Sequence, residues 1–321
     1  MSLSSNRVFC IVTDCITPYG NSVDCFLEGI NNSQSALKEV QTMSLLQSSQ
    51  GGETNKKKFR SYLKQRKAAK LFTPAAKLAL GTVGASLEKL DASFPFFSQQ
   101  EDKKNLHQET AIFFAVGREP PDDGDAEETL IVSERDGEFD EKRMSTEGKK
   151  VYPPLLPLKT LPNMVLAHSS IHLGIQGENG CWAGDEEAGW TALWSAYWSV
   201  FEGRSDLAVL CGAESLISLG LARDRLRLNK NTPPSEGSVT LVFASESWVR
   251  TFSSSSVAPS YFEIEEMFLQ DLEHLFYKRN EHPKKHLSAQ GLKSIEEITE
   301  LMGDCGAVNP LLFLLQYIHK Y

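Results

Sequence analysis

Three adjacent carboxylates, Asp185, Glu186 and Glu187, stand inside Gly177-Glu-Asn-Gly-Cys-Trp-Ala-Gly-Asp-Glu-Glu-Ala-Gly189, the stretch of this chain whose residue types lend themselves most readily to chemistry. A glycine-punctuated turn feeding the run Trp190 to Glu202 reads as a strand-to-helix corner. At such a corner the helix N-terminus offers unpaired N–H groups and the positive end of a dipole, which lower the pKa of a thiol and hold an oxyanion. A carboxylate is stabilised there for the same reason and satisfies orphan donors as a capping acid. As a nucleophile it fails where a thiolate succeeds, because its attack on a thioester gives a high-energy anhydride rather than a stable acyl-enzyme. Joint metal ligation by the three acids is poorly served too, since neighbours one apart on a helix do not share a face. Two uses of Glu186 stay open: a helix-start acid, and an acid/base group in a stand-alone decarboxylase or acyl hydrolase.

The elements that must position this corner are legible around it. Arg7 to Thr13 reads as a buried strand, followed by a Pro- and Gly-containing turn from Ile16 to Asn21. Thr110 to Gly117 and Asp206 to Glu214 are further apolar strands, and Pro233 to Glu246 is a turn and strand. Between them Trp190, Leu193, Trp194, Tyr197, Trp198, Val200 and Phe201 cover most faces of one helix, the pattern of a buried helix. Residues 56–70 hold eight Lys or Arg in fifteen and run into a helix over Leu71 to Leu80. That run reads either as a solvated helix face or as a docking patch for an acidic carrier protein, with Lys64, Arg66, Lys67 and Lys70 as its contacts. The acidic segment from Glu119 to Glu147 reads as an exposed loop or hairpin.

Taken together these segments resemble the β-ketoacyl synthases, the condensing enzymes of fatty-acid and polyketide assembly. The family pattern G-P-x5-T-A-C-x-x-G keeps its spacing between Gly177 and Gly189, and Glu186 stands where the catalytic cysteine belongs. Phe26 to Leu37 is similar to F-x-x-G-x-x-x-G-x-S-x-I, with Ser33 for the second glycine, and Tyr152 to His168 is similar to the family's P-x-x-x-x-N-M segment. Pro233 to Glu246 resembles G-E-G-A-x-x-L-V-L-E, but the D-G-F-V gate before it is replaced by Arg227 to Asn231. Beyond Glu246 the likeness fades. No H-G-T-G-T occurs between Ser247 and Tyr321, and Gly303 to Leu315 resembles the G-x-x-G-A helix with Thr299-Glu300 near the place of its histidine. His274, His282 and His286 match neither histidine motif, and His168 and His172 read as structural.

The resemblance implies an α/β, thiolase-like αβαβα layered fold, with a complete N-terminal half over residues 1–246 and a shortened C-terminal half over 247–321 packed on it. With the nucleophile replaced and both histidines missing, it implies no catalytic residue. It points instead to a chain-length-factor-like subunit of a bacterial type II polyketide synthase. The implied partners are an active ketosynthase, in a heterodimer or a dimer of heterodimers, and an acyl carrier protein that brings its own phosphopantetheine. The chain itself would need no cofactor and no metal. Cys181, Trp182, Ala183 and Gly184 fall on the strand by which the family dimerises. Phe114, Val116 and Gly117 fall where an acyl tunnel would be lined, and the segment after them would reach the partner's pocket.

Bulk properties bound the rest. The 321 residues suffice for one large or two fused α/β units. A formal net charge of −9 argues against a nucleic-acid surface. No apolar run has the length of a membrane span, and the first residues lack a signal-peptide plan. The six cysteines have no C-x-x-C pair, and Cys10, Cys181 and Cys211 lie in apolar, strand-like surroundings that suit core packing. A cytoplasmic, reduced protein is expected.

Overall fold

The computed structural model describes residues 7–41, 50–95, 109–118, 123–152, 156–228, 230–253, 261–265, 269–270 and 292–320. Their frame is a six-stranded mixed sheet built from β1 (Val8–Ile16), β2 (Ala111–Val116), β3 (Asn179–Ala183), β4 (Leu207–Ser215), β5 (Glu236–Ser245) and β6 (Phe262–Ile264). The spatial order is β6-β1-β5-β4-β2-β3. β2 runs parallel to both β3 and β4, whereas β5 is antiparallel to β4 and β1. Strands β2, β4 and β5 are buried along their whole length, which explains their near-continuous apolar sequences. β3 closes one edge of the sheet and stays half-exposed.

Alternation along the strands divides the core into two layers. On one face Ile112, Phe114, Val116, Val209 and Val242 meet helix α2 (Pro74–Ser93) and Val165. Thr73 caps α2 by accepting from the Ala76 N–H, and Pro74 at its first turn needs no donor partner. On the other face Phe113, Ala115, Leu210, Val239 and Leu241 pack against α5 (Glu186–Phe201) and α9 (Asn309–Ile318). α5 and α9 touch where Gly189 has no side chain: a Cβ there would lie 2.5 Å from the Ala307 carbonyl and 2.9 Å from Pro310 Cγ. The glycine that ends the corner motif is thus fixed by helix-to-helix approach.

Residues beyond Glu246 contribute to this same body. β6 pairs antiparallel with Val8 to Cys10 at the far edge, and α8 (Ile295–Met302) and α9 fill the α5 face with Ile298, Met302, Leu311 and Leu312. A capping box at Ser294 and Glu297 starts α8.

Two local expectations are corrected. The basic run is not the face of a helix continuous with α2: it forms two short 3-10 helices, Lys56–Tyr62 and Arg66–Leu71, and α2 begins only at Pro74. The physical reason is that two of its lysines are counter-ions of buried carboxylates, Lys56 for Glu236 and Lys58 for Asp14, and the chain must strap down onto the sheet to deliver them. The described part of the acidic segment after β2 is largely helical rather than a loop. It holds helix α3 (Asp123–Ser133), a minimal hairpin pairing Glu134–Arg135 with Glu138–Phe139, and a run of helical turns from Glu141. His274, His282 and His286 lie outside the described residues.

Candidate functional site at the strand-to-helix corner

The parallel strands end on one rim, and the corner between β3 and α5 lies there. The Gly184 N–H donates to the Val116 carbonyl at 3.0 Å, tying the turn to the end of β2. Asp185 occupies the cap position without a side-chain capping bond, and Ala188 N–H donates to its carbonyl at 3.1 Å. The three acids diverge, as their spacing requires. Asp185 pairs with Lys230 at 3.0 Å, half-buried Glu186 turns inward, and Glu187 is exposed. Among the described residues no group of three His, Cys, Asp or Glu is placed to hold a metal.

Glu186 faces a polar floor supplied by the C-terminal residues. Asn309 Nδ2 lies 3.5 Å from Glu186 Oε1 and donates at 2.8 Å to Asp304 Oδ1, while Asn309 Oδ1 accepts from the Cys305 N–H at 3.1 Å. Asp304 also accepts from Gly306 N–H at 2.8 Å and forms an ion pair with the nearly buried Arg225 at 2.7 Å. Burial alone raises the Asp304 pKa, but the Arg225 charge and the hydrogen bonds from Gly306, Asn309 and Arg225 outweigh it and hold the carboxyl below its ordinary value. Beside this floor Glu214, buried at the end of β4, accepts from Ala307 N–H at 2.6 Å. Its carboxylate fills the space where a side chain on Gly117 or Gly306 would stand. The helix-start carboxylate thus stands over a closed network of an amide, a carboxylate and a guanidinium. No thiolate or imidazole faces Glu186 in this network as described.

The other residues expected in a site fall in separate places. Phe114 and Val116 are fully buried in the layer beneath α2, and Gly117 lies against Glu214. Lys64, in the link between the two 3-10 helices, and Arg66, Lys67 and Lys70 on the second are all exposed. Lys64 is anchored twice to α4 (Asn163–Leu173): its N–H donates to His172 Nδ1 at 3.0 Å and its ammonium to the Ile171 carbonyl at 2.6 Å. His168 stacks on Phe72 with ring centroids 4.1 Å apart, a packing role. Cys10 and Cys211 are buried in strands, and burial pushes the Cys10 thiol up to about 12.

Cys181 and Trp182 point to opposite faces of edge strand β3. The Cys181 thiol reaches the Pro162 carbonyl at 3.7 Å, and the Trp182 ring folds back over Gly180, whose lack of a side chain makes the room. Next to Trp182, helix α5 leaves one stripe uncovered, Thr191, Trp194, Ser195 and Trp198, at the i, i+3, i+4, i+7 spacing of a single face. Trp182, Trp194, Trp198 and Phe113 wall a cavity of about 450 Å³ there. Sequence reasoning counted Trp194 and Trp198 toward an all-round buried helix. It also gave no role to Arg225, Asp304 and Asn309, although Asp304 and Asn309 stand in the Gly303 to Leu315 run that it had singled out.

The family model described as "Beta-ketoacyl synthase, N-terminal domain" matches residues 5–235, so the chain belongs to the β-ketoacyl synthase family and has its thiolase-like fold. Sequence comparison with curated proteins gives no match. Among solved structures, one described as a type II PKS acyl-carrier protein in complex with its ketosynthase bound to the hexaketide is similar with a TM-score of 0.61 at 14% identity, covering 98% of this chain and 90% of that one. A β-ketoacyl synthase from Burkholderia phymatum STM815 aligns with a TM-score of 0.56 and the ishigamide ketosynthase/chain length factor with 0.58, each at 14% identity over 77% of this chain. In these two cases the match spans 60% of the relative's length. No helix among the described residues is long and apolar enough to cross a membrane.

Proposed function

We propose that the chain is a non-catalytic, chain-length-factor-like subunit that pairs with an active ketosynthase and shapes the space in which a polyketide or polyene chain grows. The observation that carries this reading is Glu186. The thiolate position of the family holds a carboxylate at a helix N-terminus, a group the dipole stabilises but that forms no durable acyl-enzyme from a thioester. The edge strand β3 and the tryptophan stripe of α5 support it from the outside. A strand edge unpaired among the described residues, beside partly buried aromatics, invites a partner's strand, and such aromatic patches are typical interface anchors. Cys181, Trp182, Ala183 and Gly184 form the centre of that contact.

Leu130 and Ile131 on α3 and Phe139 in the following hairpin are exposed by 61%, 63% and 58%, an apolar surface that a pairing subunit would cover. This is the segment that would reach toward the partner's pocket from the end of β2, with Phe114, Val116 and Gly117 at its root. Lys64, Arg66, Lys67 and Lys70 would meet an acidic carrier protein. Residues 1–246 supply the ketosynthase-like frame and 247–321 complete its core, and the protein works in the cytoplasm without a cofactor of its own.

Co-expression with an intact ketosynthase from the same cluster tests the reading. Size-exclusion chromatography with mass detection should give a one-to-one complex or its dimer. A monodisperse chain that ignores the ketosynthase, with an activity lost in Glu186→Gln, would replace this reading with a stand-alone decarboxylase or hydrolase.

A further inference from the structure

A second concave site lies on the same rim of the sheet at its opposite side, beyond β5. The turn after β1, where Thr17 and Gly20 exchange backbone hydrogen bonds at 2.8 and 3.0 Å, forms one wall of a cavity of about 870 Å³. Lys38, Lys56, Lys57, Arg60, Lys70 and Lys77 line it, opposed by the single carboxylate Glu53. In a chain whose net charge is −9, six cations around one hollow are a local inversion of sign. Lys56 is committed to Glu236. Lys38, Lys57, Arg60 and Lys70 are exposed and form no ion pair among the described residues, so their charge is directed at the cavity and solvent. Pro18, Phe59 and Ala69 add an apolar portion to the wall, and Thr17, Asn21 and Asn55 add neutral polar groups.

We infer that this cavity binds an organic phosphate, a small molecule with two or more negative charges attached to a partly apolar body. A concavity of about 870 Å³ lies within the size range of small-ligand clefts. Converging lysines with one arginine read phosphate oxygens through charge-assisted hydrogen bonds, and low-salt attraction into a positively lined hollow concentrates the anion. The inference goes beyond the pairing role above: the cavity shares Lys70 with the carrier-protein contacts, but Lys57 and Arg60, which the test removes, are not among those contacts and lie far from the edge strand in the sheet order.

The test is calorimetric titration of the full chain, with any subunit that co-purifies, against adenosine diphosphate, pyrophosphate and adenosine at low ionic strength. Saturable binding of the two phosphates and none of adenosine is expected. Lys57→Ala/Arg60→Ala should weaken it about tenfold or more, with circular dichroism verifying the fold. Lys149→Ala/Lys150→Ala, which removes the same charge from a distant exposed segment, should bind as the parent does. Absence of saturable binding, equal binding of adenosine, unchanged affinity in the first double variant, or equal loss in the second would each overturn the assignment.

Discussion

Asp304 holds three neighbours at once: the Arg225 guanidinium, the Gly306 N–H, and the Asn309 amide that faces Glu186. Its side chain is 17% exposed and that of Arg225 only 9%, so the pair sits mostly out of water. Removing one partner of such a pair leaves an uncompensated charge, a loss on the order of 3 kcal/mol or more. Asp304→Asn should therefore lower the stability of the chain by about 3 kcal/mol at pH 7 in urea unfolding. The pH dependence has a definite sign. The carboxyl is held below its ordinary value in the folded chain, so its contribution is complete above the unfolded value of about 3.9 and is lost as pH falls through the folded one. The difference between parent and variant should then shrink below that pH. A difference that stays constant from pH 7 into the acid range would show that Asp304 acts through shape alone.

At the scale of elements, the 3-10 strap and helix α4 are joined by a histidine that must stay neutral. His172 accepts the Lys64 N–H through Nδ1, which a doubly protonated ring cannot do, and His168 is stacked against Phe72. Burial first, then the neighbouring His172 for His168 and the Lys64 charge for His172, hold both rings below the ordinary value of 6.5. An unfolded chain takes up these protons first as pH falls through about 6.5, so stability should decline from there toward pH 5. His172→Gln keeps an acceptor for Lys64 and removes one titration, so the decline in urea midpoint should be smaller than in the parent; an identical decline would exclude His172 as its source. Of this arrangement the sequence disclosed the histidines as structural and the strap as basic. It did not disclose that Lys56 and Lys58 serve buried Glu236 and Asp14, because a charge run carries no sign of which distant carboxylate lies under it. The long apolar strands and the corner between Gly177 and Gly189 were legible from local pattern. The floor under Glu186 was not, since Arg225 lies about eighty residues before Asp304 and Asn309 and meets them only when the C-terminal run folds onto the sheet rim. The stripe on α5 was hidden for a related reason. Tryptophan reads as core in any linear pattern, and only the sheet order shows that β3 has nothing on its outer side among the described residues.

At the scale of the whole molecule, the edge strand β3 is where the proposed pairing can be tested apart from folding. This five-residue edge strand offers backbone groups unpaired among the described residues, and no charged or proline residue lies within Asn179-Gly-Cys-Trp-Ala183 to discourage pairing. Trp182, Trp194 and Trp198 are partly buried beside it and contribute less to this chain's own core than the buried Trp190 or Tyr197. Charge placed there should separate assembly from folding. Trp194→Glu/Trp198→Glu is expected to weaken co-elution with an active ketosynthase at least about tenfold, since aromatic anchors at the centre of an interface each contribute on the order of 2 kcal/mol or more. The same variant should keep the parent's far-ultraviolet circular dichroism and its cooperative unfolding, because the two side chains are only partly buried at the margin of the core, which Trp190, Leu193 and Tyr197 fill. Unaltered co-elution would move the interface to the exposed apolar surface of Leu130, Ile131 and Phe139, where an equivalent pair of charges would then abolish it. A collapse of the isolated fold instead would place Trp194 and Trp198 in the core of this chain and remove the edge as its meeting point with another.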